Sequence, residues 1–208
     1  MHRGFRPAAP ENSLPAFRAA GEAGFWAIET DVQRTSDGVL VCCHNDTIDD
    51  MFNGSGKISE MTLAELYQYQ IDKVDMGGQA EYTLEQYTAE ELRIPLFSEY
   101  LEICKKYGAL PFIEVKGAPV EAIIEEAKQY FAEENIIISS SNYAHMEEAR
   151  EVSDKVFIHH IFSEESKIES LAALGNSGMA FDYDGAALRD PVKYAEAKRL
   201  VDKHMRRG

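Results

Sequence analysis

The sequence predicts an α/β fold, a parallel sheet covered by helices and curled toward a barrel. Three observations carry that expectation. Short apolar runs alternate with amphipathic helical stretches along the chain, the pattern of parallel strands joined by helical crossovers. Charged pairs fall at the carboxyl ends of two apolar runs, Glu29-Thr30-Asp31 and Glu114-Val115-Lys116, and that end is where a parallel barrel builds its site. The 208 residues, 45% hydrophobic and 27% charged, suit one globular domain with a substantial core.

Strands are expected at 25–32, 39–44, 111–116, 136–140, 155–162 and 178–183, from their apolar and β-branched runs. Helices are expected at 12–23, 62–70, 97–107, 119–133, 143–152, 164–174 and 191–206. Asn12 or Ser13 can cap the first helix, with Pro15 in its first turn, and Pro119 and Pro191 mark two other helix starts. Residues 45–96 form a long polar excursion between strands, with Gly54 and Gly56 in it, a side insertion or lid on a single domain spanning 1–208. No internal repeat or low-complexity segment interrupts this order.

Net charge is −15, which disfavours nucleic acid and anionic membrane as partners. No stretch approaches the roughly 20 apolar residues of a membrane span, so stable membrane insertion is not expected. Of the three cysteines, Cys42 and Cys43 are adjacent and would point to opposite faces of a strand. That argues against a disulfide framework and for a reduced, cytoplasmic protein.

The chemistry sits on few residues. On a strand, Glu29 and Asp31 are i and i+2, so both carboxylates face one side about 7 Å apart along the chain. Glu114 and Lys116 repeat the spacing. Three carboxylates suit a hard cation, Mg²⁺ or Ca²⁺, and no Cys/His spacing favours structural zinc. The bland alternative is that these acids pair with Arg3 and Lys116 as salt bridges. His2 and His44 bring two imidazoles that change charge near neutral pH and suit acid–base work. Taken alone, His44 would be a core histidine and His2 a loose terminal one; the acidic neighbours argue otherwise. Arg3 offers a planar fork and Lys116 a point charge for phosphate oxygens. A bound cation would offset the chain's negative charge for an anionic substrate. Glu11 suits a supporting role behind Arg3 or a histidine, with a purely structural cap as the alternative for Glu11 and Asn12. His159-His160 are adjacent on an expected strand, so at most one faces inward, and a structural role is expected. Asp182-Tyr183-Asp184 could line the mouth without catalysing. His145 and His204 fall on helical patterns and are expected at the surface.

These residues also carry a family resemblance. The ordered set His2-Arg3-Gly4, Pro10-Glu11-Asn12-Ser13 with Ala16-Phe17, Glu29-x-Asp31-Val32, Asp37-Gly38, His44 and Glu114-x-Lys116 resembles the glycerophosphodiester phosphodiesterase family. The match is dense over 2–66, resumes at 94–96 and 111–117, and is generic beyond 140. The resemblance implies a TIM-type (β/α)8 barrel that uses a divalent cation to split a small-molecule glycerophosphodiester into glycerol 3-phosphate and an alcohol. It implies His2 as base and His44 as acid, Arg3 and Lys116 on phosphate, and Glu29, Asp31 and Glu114 on the metal. Against that fold the strand count is short, so most of strand 1 and an eighth βα unit are expected to be missing from this chain. Closure by a partner chain, as in a homo-oligomer, is the alternative. A secreted or tethered form stays open on the same ground. Two other functions compete: a phospholipid-cleaving barrel of lysophospholipase D or phospholipase C type, and a phosphate- or polyol-binding barrel without turnover.

Overall fold

The computed structural model describes residues 1–74, 80–181 and 189–205. The chain forms two compact units, Met1–Ile136 and Ile137–Gly208.

In the first unit, helix α1 (Leu14–Glu22) leads into β1 (Ala27–Arg34), β2 (Leu40–Cys42) and, after the excursion, β3 (Leu110–Val115). Ser13, rather than Asn12, caps α1: its Oγ accepts from the Ala16 N–H at 3.3 Å. β1 and β3 are parallel, in register from Ala27↔Leu110 to Val32↔Val115, as expected. The β2 strand corrects the all-parallel expectation, because it pairs antiparallel with β1, Val32↔Cys42 to Arg34↔Leu40. The reason is connection length: residues 35–39 suffice for a hairpin, whereas a parallel return needs a crossover of a dozen or more residues. Gly38 turns it with φ 88°, and the Asp37-Gly38 pair was the visible hairpin signal.

Two consequences follow for the site. β2 ends at Cys42, so His44 follows the strand instead of closing it. Glu29 and Asp31 lie inside the eight-residue β1, not at its carboxyl end, because the strand runs on as half of the hairpin. Asp31 is nevertheless next to last in the parallel ladder. Met1 continues this order on β1: its amino group donates to Ala27 O at 2.6 Å and Glu29 N–H donates to Met1 O at 2.8 Å.

Helix α4 (Phe97–Tyr107) matches its expected span and braces the ladder. Its fully buried Tyr100 hydroxyl donates to Ile28 O at 2.5 Å and accepts from Phe112 N–H at 3.0 Å, gripping β1 and β3 beside the acidic positions. The excursion packs a core of its own from Ile48, Phe52, Ile58, Leu66, Ile71, Leu92 and Ile94 against Val41 and Cys43. Its helices are single turns, α2 (Leu63–Leu66) and α3 (Ala89–Leu92), where the pattern suggested 62–70 for the first. Thr62 with Glu65 and Thr88 with Glu91 form capping boxes that hold such short turns. Helix α5 (Val120–Ala127) follows Pro119 and stops short of the expected residue 133.

The second unit carries parallel β4 (Ile137–Ser140), β5 (Phe157–His160) and β6 (Ser177–Met179), with α6 (Tyr143–Val152), α7 (Ile168–Ala173) and α8 (Pro191–Met205). Strands β5 and β6 are shorter than expected. His159 and His160 alternate as reasoned, His160 buried and His159 half-buried with Nδ1 3.2 Å from Ser139 Oγ. His145 is half-buried, its Nδ1 2.9 Å from Ser140 Oγ, not at the open surface. The expectations for Asp182-Tyr183-Asp184, for the His204 side chain and for the chain beyond residue 205 lie outside the described residues. Cys42, Cys43 and Cys104 are free and buried, and burial pushes the Cys43 thiol up to about 12. No described helix is long and apolar enough to cross a membrane.

Candidate active site

All eight residues singled out in the sequence fall in the first unit. Glu29, Asp31 and Glu114 meet as paired neighbours on β1 and β3, Asp31 directly opposite Glu114. One carboxylate oxygen from each lies within 4.8 Å of the others. Their side of the ladder is nearly closed to solvent: Asp31 is 0% exposed, Glu29 and Glu114 8% each. Three acids at this spacing in a buried setting repel one another and lose hydration together.

The loop before α1 supplies the counterweight. Arg3 N–H donates to Glu29 Oε2 at 2.5 Å, its Nη1 reaches both Glu11 oxygens at 3.0 and 3.2 Å, and its Nε lies 3.4 Å from Asp31 Oδ2. Glu11 thus orients Arg3, and it also stands 3.5 Å from Arg6 Nε. Arg3 and Asn12 both adopt left-handed backbone, φ 54° and 48°. Gly4 (φ 79°) serves a close approach: a Cβ there would sit 2.7 Å from Ala16 Cβ on α1. Glycine therefore seats the loop against the helix.

Lys116 Nζ lies 2.6 Å from Glu114 Oε1 and 3.5 Å from Asp31 Oδ1. The salt-bridge arrangement set against metal ligation therefore does form. It leaves the cluster unsatisfied: Glu29 Oε1 and Asp31 Oδ1 are buried and make no hydrogen bond. Buried carboxylate oxygens without donors are costly, and oxygen-only ligands converging within 4.8 Å are what a hard divalent cation takes. The residues present fit the cation.

The same imbalance shows in the titration of Glu29. Burial raises its carboxyl from an ordinary 4.5 to about 8, with the Asp31 and Glu114 charges adding to the rise and the Arg3 N–H opposing it. Without metal, the folded chain then keeps a proton that the unfolded chain has released between those values. That contribution to stability is complete below pH 4.5 and is lost as pH rises through about 8. Thermal melts in chelator should show a fall in Tm across this window that Glu29→Gln lacks and that saturating divalent cation suppresses. Identical slopes for wild type and Glu29→Gln would show that Glu29 does not take up the proton.

His2 is linked electrostatically to Asp31 of the cluster and to His44. The His2 side chain is exposed, yet the surrounding protein lowers its pKa, first by desolvation, then through the Arg3 charge, with Asp31 pulling the other way and His44 adding to the fall. His2 therefore lies within electrostatic reach of both Asp31 and His44. His44 is half-buried, with Nδ1 2.7 Å from Asn45 Oδ1. Asn45 Nδ2 donates to Asp50 Oδ2 at 2.5 Å. A carboxylate can only accept, so this bond orients the Asn45 amide, and its Oδ1 must accept from His44 Nδ1–H. The neutral tautomer of His44 therefore has its lone pair on Nε2. A recess of about 20 Å³, room for a single water, opens beside it among Glu11, Asn12, Cys43, His44 and Asn45.

The sequence does not single out Asn45 or Asp50, and for Asn12 it offers a structural cap as one alternative. For Asn12 the available signal was a helix-start Asn followed by Ser13, which could already do the capping. An Asn released from that task, next to a conformation that tolerates φ > 0, is free for another.

The model of the glycerophosphoryl diester phosphodiesterase family matches residues 2–204. The chain belongs to that family. A glycerophosphodiester phosphodiesterase of Caldanaerobacter subterraneus subsp. tengcongensis is 36% identical over 158 residues, 73% of this chain and 61% of that protein. Glycerophosphodiester phosphodiesterase 1 of Mus musculus is 34% identical over 116 residues, 56% of this chain and 33% of that protein. The family member described here thus spans less than two thirds of these relatives' length. Among solved structures, a glycerophosphodiester phosphodiesterase from Agrobacterium tumefaciens str. C58 superposes with a TM-score of 0.74 at 20% identity, covering 96% of this chain and 81% of that one. A phosphodiesterase of Oleispira antarctica, solved in complex with the product sn-glycerol-3-phosphate, gives 0.74 at 24% identity, covering 100% and 88%. At these identities the likeness shows the fold, the α/β class of the TIM-type barrel.

Proposed function

We propose that this family member hydrolyses small-molecule glycerophosphodiesters to glycerol 3-phosphate and an alcohol, using a divalent cation and two-histidine acid–base catalysis. The observation that carries the reading is the buried cluster of Glu29, Asp31 and Glu114, two of whose oxygens lack hydrogen bonds, flanked by Arg3, Lys116, His2 and His44. The named relatives and the product bound in the Oleispira antarctica structure support the substrate class.

A cation held by Glu29, Asp31 and Glu114, Mg²⁺ or Ca²⁺, would supply Lewis-acid stabilisation of charge on a phosphoryl oxygen. Arg3, braced by Glu11, presents a planar donor fork to phosphate oxygens. Lys116, just beyond β3, adds an ammonium beside Glu114 and Asp31. His2, its pKa lowered, is neutral near pH 7 and takes the proton of the attacking oxygen. His44, protonated on Nε2 while Asn45 holds Nδ1, gives a proton to the leaving alcohol. If the glycerol hydroxyl attacks first, a cyclic phosphate forms and the two exchange roles for its hydrolysis. The three free buried cysteines suit work in a reducing compartment such as the cytoplasm.

Purified protein should release choline or ethanolamine from glycerophosphocholine or glycerophosphoethanolamine, measured by a coupled assay. Excess chelator should abolish release, and Mg²⁺ or Ca²⁺ should restore it. Release that persists in chelator would remove the cation from the mechanism. Cation binding with no release from either diester would favour a binding protein.

A further inference from the structure

Asn12 takes no part in the chemistry above, yet it is buried against the carboxylate cluster with every polar atom of its side chain engaged. Its Nδ2 donates to Asp31 Oδ2 at 2.9 Å. Its Oδ1 accepts from Thr30 Oγ1 at 2.8 Å and, more weakly, from the Asp31 N–H at 3.4 Å. Only one amide orientation satisfies this set, since a carboxylate cannot donate and a backbone N–H cannot accept. The Asn12 N–H donates to Arg3 O at 3.0 Å, tying it to the residue whose own N–H holds Glu29 Oε2. Each of these two carboxylates therefore has one oxygen held by the loop. The other, Asp31 Oδ1 and Glu29 Oε1, is buried without a hydrogen bond.

We propose that Asn12 is a positioning residue for the cation: its amide holds Asp31 through Oδ2 so that Oδ1 is presented as a single-oxygen ligand. The proposal rests on the reading of Glu29, Asp31 and Glu114 as metal ligands. An aspartate free to turn about its Cβ–Cγ bond presents either oxygen or both. One pinned from behind loses that freedom before the ion arrives, so less ordering remains to be done on binding. Partners of this kind change metal affinity by about 10–100-fold.

The backbone supplies the means to separate this role from a merely structural one. At φ 48° the position favours Asn or Gly, and Gly keeps the turn while deleting the amide. Calorimetric titration of Mg²⁺, and separately Ca²⁺, into chelator-treated wild type, Asn12→Gly and Asp31→Asn is the test. Asn12→Gly should melt cooperatively and bind the cation about 10–100-fold more weakly. The metal concentration for half-maximal turnover should rise by the same factor, while kcat at saturating metal returns toward wild type. An unchanged Kd in Asn12→Gly, with binding lost in Asp31→Asn, would overturn the proposal and leave the metal site standing. Wild type that takes up neither cation would overturn the metal site, and the proposal with it. Should Asn12→Gly fail to fold, Thr30→Val decides. It removes the shorter of the two bonds that hold Asn12 Oδ1 and keeps the strand's shape. A weakened Kd supports the positioning role, and an unchanged one overturns it.

Discussion

Alanine at His2 or at His44 is expected to lower turnover of glycerophosphocholine by about 10²–10⁴-fold at saturating metal, the range of a single acid or base. The double variant should cost little more than either single one, because a base without its acid completes no turnover. Both ends of the reaction need a proton moved, and the two imidazoles have unequal surroundings. His2 has its pKa lowered by desolvation and by Arg3, which favours the neutral base. His44 has its Nδ1 proton held by Asn45, which leaves Nε2 to carry the mobile one. The rate should follow a bell-shaped pH profile whose acidic limb lies below the ordinary imidazole value of 6.5. Near wild-type turnover in either single variant would remove that histidine from the mechanism. Losses that simply multiply would assign the two independent roles, one in binding and one in chemistry.

Glu114→Gln is expected to abolish metal-dependent turnover and leave the fold intact. The amide keeps the shape of the buried side chain but withdraws one anionic ligand from three, so cation affinity should fall by more than the roughly 100-fold upper range of an outer partner. Two local effects go with it. Lys116 loses the charge of its 2.6 Å partner and keeps Asp31 as its anionic neighbour. Glu29 loses one of the charges that raise its carboxyl, so the metal-free variant should hold its Tm better than wild type as pH rises through 7. Calorimetry with Mg²⁺ or Ca²⁺, alongside melts in chelator, reads both. Wild-type activity in the variant under limiting metal would mean that Glu114 is not a ligand.

Much of the frame was legible because local physics wrote it. Helices α4 and α6 run from Phe97 to Tyr107 and from Tyr143 to Val152, where amphipathic periodicity placed them. The i, i+2 spacing of Glu29 and Asp31 put both on one face whatever the strand paired with. The antiparallel β2 was misjudged because an alternating pattern was extended across a connection of only 35–39, though Asp37-Gly38 marks a hairpin. Helix α2 is shorter than the expected 62–70: its capping box fixes the start at Thr62, and the chain leaves the helix after Leu66.

By itself, the sequence singled out the candidate residues for chemistry and placed the acids Glu29, Asp31 and Glu114 on the strands that became β1 and β3. Those follow from residue type and from periods of two and 3.6, which any chain carries locally. Tertiary structure alone decided what each acid feels. It set Asp31 opposite Glu114, buried Glu29 until its carboxyl rose to about 8, and brought Lys116 within 3.5 Å of Asp31. It also turned Asn12, a cap candidate in the sequence, toward Asp31. Hydrogen bonds and desolvation here join residues far apart in the chain, Asn12 with Asp31, Arg3 with Glu29 and Asp31 with Glu114, and those contacts exist only once the chain has folded.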